Sequence, residues 1–418
     1  MDSVMEIFEG LKIVDFSWVI VGPTVTQELA QFGAQVIHVE SHRYPDIGRL
    51  IGPFKNNMPG IDNSAWFAVR NANKYGISLD LNKEKGREIA FRLVSWADVV
   101  CESMAPGKMA RWGLDYESCK RIKEDIIYFS TSQFGQKGPL SPYAGYGQLG
   151  AAYSGLTYLV GKKGRPPIQL YNNYPDFIAP YYMIATLVAA LIMRKRTGKG
   201  IYLDQSQVEA GITFMGPAIL DYLINGRLPE PQENRDPEMA PHGVFPCKGD
   251  DVWIAIAIRD ENEWEKLIKL MGEPDWARDK KFSTLELRKE NEYELNEMIG
   301  LWTSKFDVRE LMIILQKEGI PAGIVATGED LLNDPQLKYR EHFVYLNHTV
   351  IGRHAYQAPS YRLSKTPHKI KKPAPCLGED NLYVFREILK LTDDDISDLI
   401  AEGVITTEAD LPEIKTYR

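Results

Sequence analysis

The chain has 418 residues, of which 44% are hydrophobic and 25% charged, a balance that supplies a sizeable core and excludes intrinsic disorder. Its formal net charge is −8, with Lys and Arg mixed among Asp and Glu, so no basic field exists to track a nucleic-acid backbone. A small polyanion stays admissible, because backbone N–H groups and a few cations set the potential it meets.

Four widely spaced cysteines, Cys101, Cys119, Cys247 and Cys376, form no C-x-x-C pair, which predicts free thiols in a reducing cytoplasm. The opening MDSVMEIFEG has acids where a signal peptide has basic residues. The longest apolar run, MIATLVAALIM at 183–193, falls short of the roughly 20 residues that cross a bilayer, so a buried core helix and a cytoplasmic protein are expected.

In chain order, residues 11–16 read as a strand, Gly22-Pro23 as a turn, 24–32 as an amphipathic helix and 35–39 as a strand, a β-α-β unit. A second passage has strand 76–81, helix 83–96 and strand 98–101, and strand 126–130 extends the series. Strands alternating with helices predict a mostly parallel sheet covered on both faces, an α/β Rossmann-like architecture. Helix 177–196 runs to the basic RKRTGKG stretch and is followed by strand 201–204 and helix 206–225. Residues 227–246 are rich in Pro and charge and read as a linker. Beyond it, strand 252–258 and helices 261–271, 289–303 and 308–318 suggest a smaller α+β domain over 226–330. The proline-rich 359–375 segment reads as an extended strap, with a last helix pair from 381.

The letters GYGQLG at 145–150 match G-x-G-x-x-G, but they follow the loop GPLSPYA where a dinucleotide fingerprint needs a strand, so no cofactor is assigned to them. Seven histidines show no H-x-x-x-H or H-E-x-x-H pattern, and no metal is expected. No G-x-S-x-G elbow occurs. Asp176, in YNNYPDF before the apolar helix, has the position of an N-cap, and the spacing alone supports that structural reading.

Several segments in order resemble the class III (CaiB/BaiF) CoA-transferases, the family of formyl-CoA, carnitine and benzylsuccinate CoA-transferases: FSWVIVGPTVTQELAQFGAQVIHVE, NANKYGISLDL, ADVVCESMAPGKMARWGLDYE, SQFGQKGP, GIPAG, NDPQL, LSKTP and APCLGEDN. The resemblance implies that Asp176, which leads to the Thr197-Gly198-Lys199-Gly200 turn, is a catalytic nucleophile carrying an anhydride and then a CoA thioester. It also implies coenzyme A thioesters as substrates with no tightly bound cofactor. The implied CoA contacts are Val19, Ile20, Lys74, Ser103, Met104 and, for a phosphate, Arg111. Gln136, Tyr146, His242 and Gly243 are placed around the substrate. In the implied architecture 1–225 and 331–418 build one large domain around the small one, and two chains interlock as a dimer, or pair with a homologous subunit.

Two departures stand out. Ser103 and Met104 replace the family's usual asparagine and aromatic, and MAPHGVFPCKG stands where the formyl-CoA branch has a glycine-rich loop. Succinyl-CoA with an aromatic dicarboxylate such as benzylsuccinate is the leading expectation, because Tyr171, Tyr174, Phe177, Tyr181 and Tyr182 cluster near Asp176 in sequence. Alternatives are a carnitine-type transferase, a silent partner subunit and an α-methylacyl-CoA racemase. The racemase needs a His about thirty positions before the Asp, and Tyr146 stands there, a poor proton shuttle near neutrality.

Overall fold

The protein, described from a computed structural model, is placed over residues 6–143, 145–169 and 173–405. Six strands, β1 (Lys12–Phe16), β2 (Gln35–Glu40), β3 (Tyr75–Ser78), β4 (Val99–Glu102), β5 (Ile127–Ser132) and β6 (Ile201–Ser206), form one parallel sheet in the order β3-β2-β1-β4-β5-β6. This is a doubly wound α/β sheet, and its strand order reverses between β1 and β4.

Residues 13–16 of β1 are all buried, because helices cover both faces. Alternation sends neighbouring side chains to opposite sides. Val14 and Phe16 join a core with Leu93 and Val94 of α2 (Glu84–Trp96). Ile13 joins another with Val25 and Leu29 of α1 (Val21–Gln31).

The second core also takes Met183, Leu187 and Ala190 from the 24-residue helix Tyr174–Thr197. That helix is longer than the apolar run suggested. By length and composition it could cross a membrane, and in this structure one stripe of it packs on the sheet. The expected single helix over 206–225 is instead broken at Thr213–Met215, with Ser206 ending β6 and capping the next turn. Gly216-Pro217 accounts for the restart, since Pro is at home in a first helical turn and not in an interior.

The chain groups into two compact units. The first holds the parallel sheet and the residues up to 157, from 169 to 228 and from 336 onward. Within it, a hairpin Phe343–His348 with Gly352–Gln357 stands before the strap. The strap is tied down by a Lys369 N–H bond to the Gln31 carbonyl at 2.7 Å and a Lys371 N–H bond to Asn73 Oδ1 at 2.8 Å, and Ala374 within it is buried. The second unit, 158–168 and 229–335, has an antiparallel sheet of His242–Pro246, Trp253–Ala257 and Ala322–Ile324 over a core containing Ile254, Trp264, Leu295 and Leu311.

Candidate active site

The loops after β1, β4 and β5 and the helix after β6 enclose a cavity of about 370 Å³, at the strand-order reversal where doubly wound sheets bind ligands. Residues 18–21 enter from β1, 103–106 from β4 and 132–134 from β5. Tyr143, Tyr146 and Gly147 close it from the segment leading into α3 (Gly147–Tyr153). Asp176 reaches it from α4 (Tyr174–Thr197).

Asp176 does not cap its helix. Asn173 is the N-cap, and the Asp176 N–H donates to the Asn173 carbonyl at 2.8 Å. Pro175, suited to a first turn that has no use for its missing N–H, lets the helix begin before the Asp. The carboxylate is thereby freed from capping and turned to the cavity. It is only 7% exposed, and its Oδ1 has no hydrogen-bond partner among the described residues. Burial pushes its carboxyl up to about 7, against the opposing pull of Asn173, Gln133 and the Arg70 charge. A buried, under-partnered carboxylate that faces a cavity is a candidate for catalysis.

The G-x-G-x-x-G letters acquire a packing role. A Cβ at Gly147 would stand 2.6 Å from Asp176 Cγ, and one at Gly150 2.6 Å from Gln133 Oε1, so only glycine lets α3 approach the carboxylate this closely. Neither α1 nor α3 has a side-chain cap on its N-terminus, and both open onto the cavity, presenting first-turn N–H groups to whatever binds there.

The β1 loop is pinned at successive amides. Ser17 N–H donates to Asp15 Oδ1 at 2.9 Å, Trp18 N–H to Ser103 Oγ at 2.8 Å and Val19 N–H to Asp46 Oδ1 at 2.9 Å. Val19 is held at φ 72°, a left-handed conformation that costs a β-branched residue about 1–3 kcal/mol. A second cavity of about 150 Å³ is lined by Tyr44, Asn82, Lys108 and Trp112, and it shares Trp18 and Met104 with the first.

Of the residues singled out in the sequence, Val19, Ile20, Ser103, Met104 and Tyr146 come together around Asp176. Lys74 does not. It is fully buried, and its ammonium donates to Asp15, Asn71 Oδ1 and the Pro23 carbonyl, which leaves a ligand nothing to take. Arg111 is exposed at the end of the short helix Lys108–Arg111 and lines neither cavity, whereas Lys108 does. Gln136 braces the β4 loop from behind, donating to the Met104 carbonyl at 3.2 Å. His242 and Gly243 belong to the second unit, where they line a concavity with Arg235. Tyr171 lies outside the described residues.

Sequence reasoning passed over Gln133, Asn173, Gly147 and Lys108. Asn173 and Gly147 had weak signals, one three residues before the Asp and the other inside a motif set aside. Gln133 had none.

The fold and this site define an α/β protein with a buried carboxylate facing a cavity at the sheet's switch point. The chain belongs to CoA-transferase family III, whose family model matches residues 8–381, and it is a class III CoA-transferase acting between acyl-CoA and carboxylic acids. It is 31% identical to the succinyl-CoA–D-citramalate CoA-transferase of Chloroflexus aurantiacus over 95% of this chain and 98% of that protein. It is 28% identical to the mouse succinyl-CoA:glutarate CoA-transferase over 96% and 91%. The beta subunit of the Chloroflexus aurantiacus succinyl-CoA–L-malate CoA-transferase is 27% identical over 95% and 97%. Among solved structures, a CaiB/BaiF family protein from Brucella suis superimposes with a TM-score of 0.84 at 31% identity, covering 92% of this chain and 99% of that one.

Proposed function

We propose that the enzyme moves CoA from succinyl-CoA to a second carboxylic acid, with Asp176 as the covalent carrier. The observation that carries this reading is the Asp176 carboxylate itself, nearly buried, missing a partner for Oδ1 and facing a cavity at the sheet's switch point.

Ionised Asp176 attacks the thioester carbonyl and releases CoA thiolate, leaving a mixed anhydride. The thiolate attacks the aspartyl carbonyl, which expels the donor acid and leaves an aspartyl-CoA thioester. The acceptor carboxylate then attacks that thioester, and the released thiolate attacks the acceptor's acyl carbon, returning Asp176 to its starting form. Each step develops negative charge on a carbonyl oxygen, for which the uncapped N–H groups of α1 and α3 are suited donors. The anhydride must be kept from water, and the apolar walls from Trp18, Ile20 and Met104 serve that need. CoA would extend past Trp18 and Met104 into the second cavity, with its base among Tyr44 and Trp112 and Lys108 near its phosphates.

Relatives named for citramalate, glutarate and malate support an aliphatic dicarboxylate acceptor. A benzylsuccinate acceptor is the second reading, favoured by the exposed Tyr143 and Tyr146 at the cavity. Incubation with succinyl-CoA, trapping with hydroxylamine or borohydride and peptide mass spectrometry tests the mechanism, with Asp176→Ala as control. Modification of Asp176 is expected. An unmodified protein that exchanges the α-proton of an acyl-CoA would be a racemase.

The assembly we propose is an interlocked pair of chains. Helix α6 (Gly216–Asn225, after α5, Gln207–Ile212) buries no residue and exposes Leu220, Leu223 and Ile224, an apolar face that a second copy or homologous subunit would cover. Light scattering of the purified chain decides between monomer and dimer. The cytoplasm is the proposed setting, in keeping with free Cys101, Cys119 and Cys247.

A further inference from the structure

Beside the nucleophile lies a cation that the proposed chemistry leaves unused. Arg70 packs its guanidinium over the Trp66 ring at 3.9 Å and stands 5.5 Å from the ring of Phe177, the residue next to Asp176. The guanidinium's one hydrogen bond among the described residues is to the Trp66 carbonyl at 3.1 Å, and no carboxylate among them pairs with it within ion-pair distance. The Trp66 indole N–H is buried and lacks an acceptor among the described residues. The indole N–H is thus withdrawn from water and unpaired, a state that folding tolerates poorly unless an acceptor arrives to meet it, and the half-buried guanidinium beside it keeps most of its donors open to an anion. The charge of Arg70 is felt at Asp176, and burial, ahead of that contact, holds the guanidinium down at about 10.

We propose that Arg70, with the Trp66 indole N–H, anchors the second carboxylate of a dicarboxylic substrate while its first carboxylate reacts at Asp176. The guanidinium fork suits a carboxylate held by two parallel bonds, and the flanking rings fix its plane and keep water off. Succinate and glutarate have the chemistry this requires, with a short apolar chain between two carboxylates. A monocarboxylic acid of the same length would leave both donors unpaired. The inference rests on the CoA-transferase reading for its substrate class, but the binding it describes can be tested without turnover.

The experiment compares glutarate with pentanoate, which has the same chain and one carboxylate, in the wild type and in Arg70→Met, Arg70→Lys and Trp66→Phe. Calorimetric titration with free CoA present reads binding, and kcat/KM with succinyl-CoA reads transfer. The wild type should prefer glutarate. Arg70→Met should weaken glutarate about 100-fold, the loss expected for a charge-assisted pair, and leave pentanoate nearly unchanged. Arg70→Lys, which keeps the charge and loses the fork, should fall between. Trp66→Phe should lower glutarate alone, which decides the matter if Arg70→Met does not fold. An equal loss for both acids would overturn the anchor and make Arg70 a residue that only tunes the charge of Asp176. Glutarate binding that depends on Arg70 without transfer to any acid would sustain the anchor and sink the transferase reading. Transfer with no dependence of glutarate binding on Arg70 would do the reverse.

Discussion

Two buried aspartates near the C-terminal ends of this sheet differ in almost everything except burial. Asp15, on β1, is wholly enclosed, yet each oxygen is occupied. Ser17 donates to Oδ1 through N–H and hydroxyl, while Thr26 Oγ1 at 2.6 Å and Lys74 Nζ at 3.0 Å donate to Oδ2. Burial works against its ionisation, but Lys74 and His38 overcome it and hold the carboxyl well below the usual range. Asp176 has nearly the same burial and no such set of donors, and its carboxyl rises to about 7. The contrast teaches that partners, and not depth, decide whether a buried carboxylate is held in its ionised form.

The largest expected effect comes from removing the reactive member. Asp176→Ala should lower transfer from succinyl-CoA by about 10,000-fold or more, as the loss of a covalent nucleophile does, with folding unchanged by circular dichroism. Retained turnover would erase the distinction between the two sites. At Asp15 the cost should appear in stability instead. Asp15→Asn leaves the Lys74 ammonium buried without its counter-charge and should cost about 3–5 kcal/mol in denaturant unfolding.

The pH dependences have opposite signs. The Asp15 carboxyl is depressed in the folded state, so its contribution is present above the unfolded value and disappears as pH falls. The Asp176 carboxyl is raised, so its contribution is present below the unfolded value and is lost as pH rises through about 7. Asp176→Asn should therefore stabilise the protein at pH 8, by up to about 4 kcal/mol, and have no effect in acid. Equal melting temperatures at pH 8 would mean that Asp176 is solvated. The smallest effect is expected at Asn173, whose side chain favours the ionised Asp176. Asn173→Ala should shift the rising limb of kcat/KM against pH to a midpoint above that of the wild type.

Much of the sheet was legible before any coordinates. The apolar runs at Ile13, Ile37, Val99 and Ile127 mark strands buried on both faces, and their alternation with helices required a parallel arrangement. Helix α4 was recognisable from its apolar length, but its first turn was misjudged, because whether an Asp caps a helix or follows the cap depends on backbone angles that adjacent letters do not specify. Asp176 was found through a resemblance in motif order and not through its own pattern, which favoured capping.

Lys74 shows the opposite failure. In sequence the family resemblance assigned Lys74 to CoA, yet the fold spends it on Asp15, a residue 59 positions away. Arg70, four residues earlier, drew no attention in the sequence and has no carboxylate within ion-pair distance among the described residues.

By itself, then, the sequence determined what depends on neighbours along the chain: which segments are strands and helices, the parallel sheet, the family pattern and the candidate nucleophile. Only the tertiary structure decided which of the buried charges are satisfied. That property belongs to groups brought together across the strand-order reversal. It turns on whether donors such as Lys74, Thr26 and Ser17 satisfy both oxygens of a carboxylate, or, as at Asp176, one oxygen is left without a partner among the described residues.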